Sequence, residues 1–215
     1  MATTAVPLFL ATQTLTPIPS GSPTPTASLR VDIAGLEFTY DGPSGIDEDT
    51  TVYLTARSFD FGRVFEFIDE EDIGQPELTD IVLKTVTELD DRNTFEFLGI
   101  YAPEEYTRDI DNVLASPDFE DVSLIETEQD LALLGFTWRR LVGESGEWNN
   151  RLYFRESDKT SSEGEAFPDL VPEGTPAGDI PVRENLLTVG EAETEIGWRS
   201  DFSARNRLGE IQTGF

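Results

Sequence analysis

The stretch VYLTARSFDFGRVFEF, residues 52–67, constrains the fold most. From Phe59 onward, Phe59, Phe61, Phe65 and Phe67 fall on one side, and Ser58, Asp60, Gly62 and Glu66 on the other. Arg63 and Val64 are the two exceptions to the alternation. Apolar residues at every second position are the pattern of a strand with one face against a core. The stretch therefore predicts one long strand, or two strands meeting near Gly62. Burying such a row stabilises a fold by several kcal/mol, at roughly 25 cal/mol per Å2.

Neighbouring segments predict more sheet around that row. LRVDIAGLEFTY (29–40) alternates with a shift at Gly35, which predicts a strand with a bulge. Residues 41–49 predict a loop and 69–76 an acidic loop. LTDIVLKTVTEL (78–89) carries a helical stripe, but its β-branched residues favour a strand. Residues 90–93 predict a turn and 94–101 a strand. Pro103–Ala115 predicts a helix, with Pro at its first position, Glu104 and Glu105 in the first turn, and Tyr106, Ile110, Val113 and Leu114 on one face. A short strand over 121–126 and a short helix over 128–134 follow. FTWRRLV (136–142) and WNNRLYFRE (148–156) predict a hairpin around residues 143–147.

These elements imply a mainly β (α+β) fold. The expected core is an antiparallel β-sandwich or barrel-like sheet with one or two short helices, flanked by extended N- and C-terminal arms. The expected division is an arm over residues 1–28, a β-rich core over 29–156 and an irregular C-terminal extension over 157–215. Four prolines within residues 16–26 exclude helix there and favour extended chain. Val6, Leu8 and Leu10 are candidate anchors for docking that arm on another subunit.

Charge excludes several function classes. The net charge is −28, with 43 acidic residues against 15 basic ones. Such a surface disfavours direct contact with nucleic-acid phosphates or an anionic membrane. Lys84 and Lys159 are the only lysines, and the other basic residues are arginines. Many carboxylates with few lysines suit high salt, where screening relieves self-repulsion. There is no Cys, hence no disulfide, zinc–thiolate site or cysteine nucleophile. There is also no His, the commonest general base and metal ligand. No apolar run approaches the roughly 18 residues of a membrane span. The segment MATTAVPLFLATQTL lacks the basic start of a signal peptide.

Chemistry-bearing motifs are scarce. Asp47-Glu48-Asp49, Asp69-Glu70-Glu71-Asp72, Asp90-Asp91 and Asp109/Asp111 are read first as solvated acidic surface. No cofactor is expected, and structural Ca2+ or Mg2+ at such clusters is the one addition they allow. Glu144 and Glu147 are the best-placed carboxylate pair for acid–base work, but nothing marks them beyond position. No nucleotide-binding, zinc-protease or serine-hydrolase motif occurs, and a non-enzymatic role is expected.

The hairpin arginines Arg139, Arg140, Arg151 and Arg155 read either as intramolecular partners of local carboxylates or as half of a contact between subunits. Trp198, Arg199, Phe202, Arg205, Arg207 and Phe215 have the composition of an interface. The leading expectation is a structural subunit of a large assembly, a virion component of a tailed virus (decoration, neck or tail) that is assembled in the host cytoplasm and suited to saline surroundings. Its partners are then copies of itself and other subunits of the same assembly. The alternatives are a secreted or surface β-domain binding cations or glycans, and an acidic nucleic-acid mimic.

Overall fold

The computed structural model describes residues 24–68, 70–115, 122–206 and 209–215. The fold is mainly antiparallel β, as expected. Its strands are β1 (Thr26–Val31), β2 (Gly35–Pro43), β3 (Thr50–Asp60), β4 (Gln75–Asp90), β5 (Asn93–Tyr101), β6 (Glu104–Arg108), β7 (Ser123–Val142), β8 (Gly146–Ala166), β9 (Val182–Asn206) and β10 (Gly209–Gly214). All ten belong to one sheet, in the order β1-β2-β3-β4-β5-β7-β8-β9-β10, with β6 between β4 and β7. The described strands thus form a single meandering layer, and the second layer of a sandwich is not among them. Two short helices complete the fold, α1 (Gly62–Phe67) and α2 (Ile110–Ala115).

β5 and β6 are one strand with a defect. The β4 register continues from Ile81↔Tyr101 to Leu78↔Glu104, and the β7 register from Tyr101↔Ala132 to Glu104↔Gln129. Pro103 sits between them. Its carbonyl accepts from Thr79 N–H at 3.1 Å, but it has no N–H to return. The helix expected over Pro103–Ala115 is therefore confined to α2. Its signals, Pro followed by two Glu, yield to a backbone ladder on both sides.

The opening Phe row is also corrected. β3 ends at Asp60, and Gly62–Phe67 is helical. Phe61, Val64, Phe65 and Ile68 fall at i, i+3, i+4 and i+7, so the same residues satisfy a helical period. The Phe65 and Ile68 N–H groups donate to Phe61 and Val64 carbonyls at 3.0 and 3.2 Å. Near Gly35 the expected bulge is a turn, where Asp32 Oδ1 accepts from the N–H of Ala34 and Gly35. Residues 121–134, expected as a strand and a helix, lie mostly within β7. The stretch 157–215, expected as irregular, contains the end of β8, all of β9 and β10. DKTSSEGEA has no apolar alternation to announce a strand. Pairing with β7 on one side and β9 on the other holds it extended.

Few apolar side chains are fully covered. Among the described residues, only Val113, Ala166 and Ile180 are buried hydrophobics. They belong to a small cap at one end of the sheet, where α2 packs on β6, β7 and the 3-10 turns Glu71–Ile73 and Ala177–Asp179. Arg108 fastens this cap. Its Nε donates to the Asp72 carbonyl at 2.9 Å, and its Nη1 to the Ser123 carbonyl at 2.6 Å.

Candidate interaction face

Residues paired across antiparallel strands project to the same side, so the register defines two faces. On one face, three neighbouring rows cross the sheet without a charged side chain. The first runs Ala27, Tyr40, Leu54, Leu83, Gly99, Leu134, Phe154 and Ile196. The second runs Gly42, Val52, Thr85, Phe97, Phe136, Leu152 and Trp198. The third runs Thr50, Thr87, Phe95, Trp138, Asn150 and Ser200, and continues to Phe215 through its backbone bonds with Ser200. We call this the aromatic face.

Its rings touch one another. Phe95 lies 5.2 Å from Phe136 and stacks on Trp138 at 6.1 Å, and Trp138 lies 5.8 Å from Trp148. Trp198 meets Phe215 edge-on at 5.1 Å. All three tryptophans of the chain stand on this side. A polar chain runs beneath them: Trp148 Nε1 donates to Ser200 Oγ at 2.7 Å, and Ser200 Oγ donates to Asn150 Oδ1 at 2.9 Å. Asn150 Nδ2 is buried without a hydrogen-bond partner.

The aromatic face is nevertheless open. Leu29, Phe38, Ile81, Leu134, Phe136, Leu152, Ile196, Trp198, Ile211 and Phe215 are among its large side chains exposed by a third or more, with Trp198 at 58% and Phe215 at 75%. Single exposed hydrophobics are ordinary, but contiguous patches beyond a few hundred Å2 mark contact sites. Beyond the band, the same side turns acidic. Around Pro103, a shallow hollow of about 260 Å3 is lined by Glu77, Glu104, Glu105, Glu128 and Asp130 with Thr79, Pro103 and Gln129. Among the described residues no group of three or more His, Cys, Asp or Glu is placed to hold a metal.

The opposite face is finished internally. Arg57 Nε donates to both Asp80 carboxylate oxygens at 3.0 and 2.9 Å, with Nη2 at 2.8 Å. Lys84 reaches Glu96 at 3.4 Å, and Arg155 reaches Glu193 at 3.2 Å. Arg151 and Arg199 stand opposite each other, and Asp201 serves both at 3.6 and 2.8 Å. Tyr153 OH donates to Glu195 at 2.5 Å, and that bond raises the phenol above its ordinary value. On the aromatic side, Tyr101 is raised in the same way by its bond to Asp130. Val82, Val86, Leu98, Ile100, Leu131 and Leu133 on the ion-paired side are all half-buried, as are Val52, Leu54, Leu83, Phe95, Phe97 and Phe154 on the aromatic side; the faces differ at Leu134, Phe136, Leu152, Ile196 and Trp198, which are exposed.

The predicted site residues divide between the faces. Trp198, Phe202, Phe215 and, at the rim, Arg140 lie on the aromatic side. Arg139, Arg151, Arg155, Arg199 and Arg205 lie on the other. Arg151, Arg155 and Arg199 have carboxylate partners within the chain, and Arg139 Nη2 donates to Thr94 Oγ1 at 3.4 Å. Ser145 Oγ donates to the Arg205 carbonyl. Glu147 accepts from Asn149 Nδ2 at 2.6 Å. Val6, Leu8, Leu10 and Arg207 lie outside the described residues. The reading from sequence missed Phe95, Phe97, Phe136, Trp138, Trp148 and Leu152 as one surface. Each strand shows its own alternation, but only the register brings the rows together.

Comparison with protein-family models, curated proteins and solved structures finds no match to this chain.

Proposed function

We propose that the chain is a non-enzymatic structural subunit of a large protein assembly, and specifically a virion component of a tailed virus in saline surroundings. The observation that carries the assembly reading is the imbalance of burial. Val113, Ala166 and Ile180 are the buried hydrophobics among the described residues, while Leu134, Phe136, Leu152, Ile196, Trp198 and Phe215 stay exposed on the aromatic face. A single-layer sheet cannot complete a core on its own. Its missing layer has to come from elsewhere.

The finer attribution is supported by composition. A chain with no His and no Cys lacks the commonest catalytic and metal-binding side chains. Residues 1–29 contain no charged side chain, although 27% of the whole chain is charged. An uncharged, proline-rich N-terminal sequence on an acidic β-subunit suits a shell or tube built from repeated copies, and the acid excess suits high salt. The test is the solution mass of the full chain by light scattering at low and at molar salt. A multimer favoured by salt is expected. A monomer under both conditions overturns the reading.

A further inference from the structure

We propose that the aromatic face is covered by a second copy of this chain, stacked face to face. The proposal rests on the assembly reading and assigns it a surface. Area is the first argument. The ten open side chains named above present roughly 1,000 Å2 per copy, taking about half of the 150–250 Å2 that a large side chain carries. A standard stable interface needs about 800 Å2 per partner.

Charge distribution is the second. A copy carrying −28 repels its twin, yet the three central rows hold no charged side chain. Two copies stacked through these rows keep their carboxylates at the rim and on the outer faces, where salt screens them. Shape is the third. Sheets stack at about 10 Å with interleaved side chains, a geometry open to any pair of apolar sheet faces. The uncharged segment 1–23 is the competing occupant. A single strand laid on a sheet face spans about one inter-strand spacing, roughly 5 Å, before its side chains are counted. The first row alone crosses eight strands, from Ala27 on β1 to Ile196 on β9, or roughly 34 Å at about 4.8 Å per strand.

The test is sedimentation and light scattering of the full chain at molar salt, with Leu152→Glu on the aromatic face and, as the control, Arg139→Glu on the other face, which adds even more negative charge. Circular dichroism checks that each variant keeps its strand content. Leu152→Glu is expected to weaken self-association at least about 100-fold, in the range of a central interface residue, while Arg139→Glu leaves it within a few-fold. Tryptophan emission should shift blue with concentration in the parent chain, because all three tryptophans line this face. Should Leu152→Glu not fold, Leu152→Cys provides the second measurement in a chain with no other cysteine. Oxidation or a short thiol cross-linker should then join two copies within the oligomer.

Association that survives Leu152→Glu, or an oligomer in which Leu134→Cys, Leu152→Cys and Trp198→Cys all fail to cross-link, overturns the proposal and leaves the assembly reading standing. A monomer at every salt and concentration overturns both. If that monomer's emission moves red on removal of residues 1–23, the chain's own arm is the occupant.

Discussion

The two faces of this sheet solve the same problem differently. Both are built by the same strands, one residue apart. On the ion-paired face, Arg57, Lys84 and Arg155 reach carboxylates on a side whose aliphatic residues Val82, Val86 and Leu98 are half-buried. Long charged side chains cover apolar surface in this way without a second layer. The aromatic face has rings and aliphatic side chains at the equivalent positions, and on β7, β8 and β9 Leu134, Phe136, Leu152, Ile196 and Trp198 stay exposed. A sheet face can thus be closed from within by amphipathic side chains, or left for a partner. Which of the two a face does is visible in the length and charge of its side chains.

The sharpest way to break this comparison is at two adjacent residues of β9. Gly197 lies on the ion-paired face, and a Cβ there would fall 2.1 Å from the Tyr153 ring. Gly197→Val should therefore destabilise the fold by about 1–3 kcal/mol through overpacking, whatever the protein concentration. Trp198→Ala, on the other face, removes a side chain that is already 58% exposed. It should cost the isolated chain less than about 1 kcal/mol but weaken association about tenfold or more. Urea unfolding at low protein concentration, beside a dilution series, separates the two. Equal effects of Trp198→Ala on folding and association would remove the distinction between the faces.

A smaller effect concerns the ion pairs themselves. Arg57 and Asp80 are 28% and 20% exposed, and their contact is bidentate. Removing one partner leaves the other half-buried, so Arg57→Ala should cost about 1–2 kcal/mol. Lys84 and Glu96 share one longer contact of 3.4 Å. Lys84→Met should be within about 0.5–1 kcal/mol of neutral, because the stem is kept. Chemical denaturation in urea at low and high salt measures both. A larger loss for Lys84→Met than for Arg57→Ala would show that pairing, rather than stem coverage, closes this face.

Much of the sheet was legible from local pattern. β3, β4 and β5 alternate or carry β-branched residues, and the hairpin turn at 143–145 follows from its Gly and Ser. What failed were segments whose local signals fit two answers. Phe61 and Phe65 satisfy helix and strand periods alike. Glu104 and Glu105 after Pro103 mimic a helix start, yet they sit in register between β4 and β7. The polar half of β8 has no signal at all, since its ladder partners supply the reason to be extended. The aromatic surface was half legible. Trp198, Phe202 and Phe215 stood out as interface-like, but their continuity with Phe136 and Leu152 depends on pairing partners tens of residues apart. The arginines drew attention for a charge that the sheet largely satisfies internally.

The smallest expected effect is a pH dependence, and it also divides by location. On the ion-paired face, the bond from Tyr153 to Glu195 raises the phenol above its ordinary value of 10.0. A raised folded value means that the contribution is fully present below about pH 10 and is lost as pH rises through the folded value. At the β4–β5 turn the sign is opposite. Asp90 accepts from Arg92 N–H, Asn93 N–H and Asn93 Nδ2, which lowers its carboxyl below the ordinary 3.8. That contribution is present above about pH 4 and is lost as pH falls through the lowered value. Tyr153→Phe should therefore flatten the alkaline limb of stability and leave the acid limb unchanged, while Asp90→Asn should do the reverse. Neither should alter association, because neither side chain stands in the charge-free rows of the aromatic face. Melting temperatures followed from pH 3 to pH 11 test this. An alkaline limb unchanged by Tyr153→Phe would place the titrating phenol elsewhere, with Tyr101 and its bond to Asp130 next in line.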